Sequence, residues 1–222
     1  MLDSSLPNVV SDQQALKTTT ANITAIAITK LQQGDLTAAK SLLEELLNRG
    51  AYENAAAALN AVSPQQANTS DILFLRGRLA WQLHKIEDAR QYWEAAVKNK
   101  PNAAAYHNAL GFAYYTLEHL DLANDAWFQA LYLANQQAKI TSHASNVDAL
   151  NAYAGLALIL HQAANDTNQP TDQQAKLKAE AIKLRQKVLA EDSTNFQVHN
   201  LSKKWLWNQK VIQDWQMLLN IT

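Results

Sequence analysis

The residues best suited to chemistry in this chain are six histidines, His84, His107, His119, His143, His161 and His199. No two stand three or four positions apart, the spacing that turns two imidazoles toward one metal from a helix face. None sits among Asp and Glu residues in a ligand-type cluster. Glu44, Glu45 and Glu53 could in principle trade protons, but they lie in an Ala- and Leu-rich stretch where carboxylates read as a solvated helix face. The sequence has no GxxxxGK[ST], GxGxxG or GxSxG element, so no phosphate cradle or nucleophile elbow is encoded. It has no cysteine, which removes disulfides, thiol nucleophiles and cysteine-held metals. No catalytic residue, metal ligand or cofactor is expected.

The elements that would have to position any site are helices. Of 222 residues 48% are hydrophobic, enough for a substantial core, while only 5 are Gly and 4 Pro. Ala, Leu, Gln, Lys and Glu dominate, and alternating β-branched runs are nearly absent. A net charge of −1 supplies no basic field for nucleic acid. No apolar run approaches the ~20 residues that cross a bilayer, and the N-terminus has neither the basic nor the apolar region of a signal peptide. The chain therefore reads as cytoplasmic, with no membrane insertion, and could be one domain of a longer protein. Residues 1–20 are expected to form a flexible lead, followed by a capping helix over 21–33.

A fixed period organises the middle of the chain. Gly77 and Gly111 are 34 positions apart, and so are Ala89 and Ala123, Trp93 and Trp127, and Ala96 and Ala130. One step back gives Leu43, Ala55, Leu59 and Val62. Three blocks, 36–69, 70–103 and 104–137, share this register, and each predicts two antiparallel helices. A small residue at the eighth position should let the second helix approach, with the Ala of that helix as the matching contact. The large side chain at the twenty-fourth should fill the space between hairpins. Pro101 should stop the second helix of its block. One hairpin cannot bury its apolar face alone, so neighbours must stack.

Gly77, Ala89, Trp93, Ala96 and Pro101, repeated as Gly111, Ala123, Trp127 and Ala130 with Asn135 in place of Pro, resemble the tetratricopeptide repeat (TPR) family. The resemblance covers 36–137 and implies an all-α fold: a right-handed α-solenoid of stacked antiparallel hairpins with capping helices at both ends, in one domain over 21–222. Beyond it, Gly155 and Ala181 fit an expanded fourth repeat over 148–193. They are separated by 26 positions where the register asks for 12, and the polar loop NDTNQPTD accounts for part of the surplus. The segment 195–219 reads as C-terminal helices, with Val211, Trp215, Leu218 and Leu219 on one stripe and Asn208 as a cap.

The family resemblance implies that the first helix of each hairpin lines a concave face. On that basis a peptide-binding groove is expected from Lys40, Phe74, Arg78, Trp81, Asn108, Phe112, Tyr115 and Leu156. The aromatic members would form a floor and Lys40, Arg78 and Asn108 polar anchors. The alternative is that a helix of the chain itself, 21–33 or 209–219, fills that groove. The carboxylate clamp of some family members is mostly missing, since Glu44 stands where Asn is wanted and the third inner helix carries no Lys or Arg. Two functions are compatible with these features. The first is a non-enzymatic module that scaffolds a complex by holding a protein or peptide partner, with self-association possible through the Trp-rich C-terminal helices. The second is a regulatory domain of a larger signalling protein such as a kinase or transcriptional regulator.

Overall fold

Asp35, Gly50 and Pro101 punctuate the chain, and helices run between such breaks. The computed structural model describes residues 9–140 and 147–221, which contain helices and turns and no strand. They fall into two compact units, one up to His84 and one from Lys85, where the sequence reads as one continuous domain.

The first unit holds α1 (Val9–Gln32), α2 (Leu36–Asn48), α3 (Tyr52–Asn60) and α4 (Ser70–Gln82). The expected flexible lead is helical from Val9 onward; residues 1–8 lie outside the described residues. Farther along the same helix, in the expected capping segment, threonine hydroxyls turn back on the backbone: Thr24 donates to the Thr20 carbonyl at 2.8 Å and Thr29 to that of Ala25 at 2.9 Å. Ala27 and Leu31 then enter a core with Leu43, Leu46, Leu59 and Leu75. Asp35 caps α2, its Oδ1 accepting from the Ala38 amide at 3.1 Å. That bond, seconded by Lys30, holds the Asp35 carboxyl below the usual range.

The second unit holds α5 (Ile86–Asn99), α6 (Ala104–Thr116), α7 (Leu120–Ile140), α8 (Val147–Ala164), α9 (Thr171–Asp192), α10 (Val198–Leu201) and α11 (Gln209–Leu219). Consecutive helices from α5 to α9 pack on one another. Helix boundaries fall near the expected block edges, and α5 ends at Asn99, just before Pro101.

The small residue at the eighth position has a more specific role than close helix approach. A Cβ on Gly111 would lie 2.5 Å from Trp127 Nε1, and one on Gly155 would lie 2.2 Å from Trp127 Cδ2. The indole of α7 is clasped between a glycine of its own hairpin and a glycine of the next. The bulk of that ring is what an added side chain at either glycine would meet first.

A second periodic feature concerns the backbone. Gly50, His84 and Glu118, again 34 apart, all adopt positive φ: 72°, 59° and 64°. Each closes the turn between the two helices of its block. The Gly50 amide donates to the Leu47 carbonyl and the Ala51 amide to that of Leu46; the Glu118 and His119 amides do the same to Tyr115 and Tyr114. This is the left-handed helix stop that satisfies the last carbonyls. Only one of the three positions carries the glycine that such a φ favours.

Candidate interaction face

In the second unit the face of α6 that the sequence assigns to a groove is covered. Phe112 and Tyr115 are 0% and 1% exposed, and the chain's own C-terminal segment lies over them. Phe112 meets the Trp207 ring at 5.6 Å between centroids, and Trp207 packs edge-on against Trp215 at 5.5 Å. Phe196 contacts both indoles. Trp215 donates its Nε1 proton to the Phe196 carbonyl at 3.1 Å, which satisfies the polar atom of a fully buried ring.

Polar bonds fix the register of this segment on the helices beneath it. Tyr115 donates its hydroxyl to Asp214 Oδ2 at 2.8 Å, and burial together with that carboxylate pushes the phenol well up from its ordinary value. Asn208 serves two ends at once: its Oδ1 accepts from the Val211 amide, capping α11, and its Nδ2 donates to Thr116 Oγ1 at 2.9 Å. Arg185 of α9 donates to the carbonyls of Leu218 at 2.7 Å and Ile221 at 2.8 Å, at the end of α11. Trp207 Nε1 reaches Asn151 Oδ1 at 3.4 Å.

Of the remaining expected groove residues in this unit, Asn108 is fully buried and donates through Nδ2 to the Asp148 carbonyl at 2.9 Å and to Asp148 Oδ1 at 3.2 Å. Burial raises the Asp148 carboxyl above its ordinary value, partly offset by that bond. Leu156 is buried within α8. In the first unit, Phe74, Arg78 and Trp81 are buried as well, with Arg78 donating to Asn48 Oδ1. Lys40 alone of the eight stays half-exposed, paired with Asp71 at 2.8 Å. Burial of these rings replaces the expected open aromatic floor. In the second unit the occupant is the 209–219 helix, the alternative that the sequence leaves open.

The segment's polar attachments are not legible in the sequence. Trp207 and Trp215 stand out by size, but Asp214, Asn151 and Arg185 are ordinary polar residues on helices whose contact is non-local. Trp205 is half-buried, with its ring 6.2 Å from that of Trp93. Among the described residues no three His, Asp or Glu side chains gather as a metal site, and no helix is long and apolar enough to cross a membrane.

No family model and no curated protein matches this chain. Solved structures do. The chain is similar to BtubC (BKLC) from P. vanneervenii, at 15% identity over 93% of this chain and 89% of that one, with a TM-score of 0.55. It is also similar to MamA, at 14% identity over 82% of this chain and 98% of that one, with a TM-score of 0.52. The fold is all-α and TPR-like, built from antiparallel helix hairpins.

Proposed function

We propose that this chain is a non-enzymatic interaction module that scaffolds a complex by holding a peptide or helix of a protein partner. The observation that carries the reading is the way α6 and its neighbours already hold a helix. Buried aromatic anchors are surrounded by a few oriented polar bonds, which is the chemistry by which a helix is held in a groove. The TPR-like fold supports the same reading. Trp207 and Trp215 are buried in their own unit, so self-association through the C-terminal helices would use exposed positions such as Met217 on α11. Half-exposed Lys40 is the expected groove residue that a partner reaches first.

The test is affinity capture by the full chain from lysate of its source, read by mass spectrometry and repeated with Lys40→Glu. A protein retained by the wild type and lost with the charge reversal is the expected result. Retention of nothing above a bait-free control would overturn the module, and equal retention by both would move the contact away from Lys40.

A further inference from the structure

We infer that α11 is an internal ligand of the second unit, and that the face it covers accepts in its place an amphipathic helix of a partner with the same anchors. The inference rests on the interaction-module reading and adds which face is used and what closes it. Three features set this segment apart from the helix pairs beneath it. It lies outside the 34-residue register that orders α2 to α7. It is joined to the rest by the run 202–208, which is turn and irregular chain. It is also held like a docked helix, through Trp207 and Trp215 as anchors, Tyr115 to Asp214, Asn208 to Thr116, and Arg185 at its end.

The anchors state the chemistry of the competitor. It needs an indole at the place of Trp215, apolar side chains four before and three after it as Val211 and Leu218 are, and a carboxylate next to the indole to accept from Tyr115. Tethering keeps α11 at an effective concentration in the millimolar range, so an outside helix binds only in proportion to the fraction of molecules in which α11 has left. Whatever weakens α11's own side of these attachments, and leaves the face intact, strengthens outside binding by that same factor.

The experiment uses the full chain and a fluorescent peptide copying residues 205–221, followed by anisotropy. The wild type is compared with the double variant Asn208→Ala, Asp214→Ala, both on the covering segment, which loosens it and leaves Phe112, Tyr115, Thr116 and Arg185 of the receiving face in place. The expected result is that the double variant binds the peptide at least about tenfold tighter than the wild type, and that a Trp215→Ala version of the peptide binds neither. Equal peptide binding by the two proteins, with helical circular dichroism unchanged, overturns the inference. Should the variant lose its helical signal, hydrogen exchange on the wild type decides. Exchange of α11 amides ahead of those of α6 and α8 supports the internal ligand, and exchange of all three together overturns it. Lysate capture can succeed while this test fails, so the two readings fall separately.

Discussion

At the scale of single residues, the clasp around Trp127 is the strictest demand the fold makes. Gly155→Ala places a methyl 2.2 Å from a fully buried ring that has no room to retreat. The expected cost is about 1–3 kcal/mol, with Gly111→Leu at or above the top of that range. Thermal unfolding by circular dichroism checks both; an unchanged melting temperature for either would mean the ring is not confined. Gly111 and Trp127 are legible in the sequence because they recur on the period. Their direct contact is not, since spacing places a residue on a helix face without saying which side chain crosses over to it.

At the scale of elements, the left-handed turn residues show how a repeat constrains the backbone more tightly than the side chain. His84 sits exposed at φ 59°, where a Cβ is strained. His84→Gly relieves that strain at some loss of chain entropy, so a net gain of up to about 1 kcal/mol is expected, or roughly 2–4 °C in melting temperature. Nothing in the identities of His84 and Glu118 announces this conformation; only Gly50, one period back, hints at it. The N-terminal boundary departs from expectation for a related reason. Residues 9–20 look unstructured because they are polar, yet they extend backward the helix that the sequence does predict over 21–33, where Ala27 and Leu31 are buried. The cap of α11 is legible from Asn208 ahead of an apolar stripe. Asn208→Ala removes both the cap and the bond to Thr116, with an expected loss of about 1 kcal/mol. The same variant should show faster amide exchange in α11 than in α8.

At the scale of the whole molecule, stability should depend on acid through His161. It is 7% exposed on α8. Burial pulls its pKa below the ordinary 6.5, Lys178 adds to the pull, and Asp214 opposes it. A base whose folded pKa is depressed stays neutral in the fold but takes up a proton on unfolding. Its contribution is therefore complete above about pH 6.5 and is lost as pH falls below that value. Asp148 works the other way, since its raised pKa favours the protonated folded form as the medium turns acid. Comparing wild type with His161→Gln isolates the histidine. The drop in melting temperature between about pH 7.5 and about pH 5.5 should be smaller in the variant. Six histidines are visible in the sequence as poor candidates for chemistry. That one of them is buried beside a carboxylate of the last helix depends on a fold-back that no local pattern encodes.

The clasp has a bearing on how such chains can grow or shrink. Because one indole is seated against glycines of two successive hairpins, those hairpins are not interchangeable modules. A duplication that slips an extra hairpin between them must arrive with its own bare-backbone seat for the ring, and a deletion must leave one behind. Gene rearrangements at this junction that lack that seat should yield insoluble product, whereas exchanges at the end marked by α1 face no such requirement.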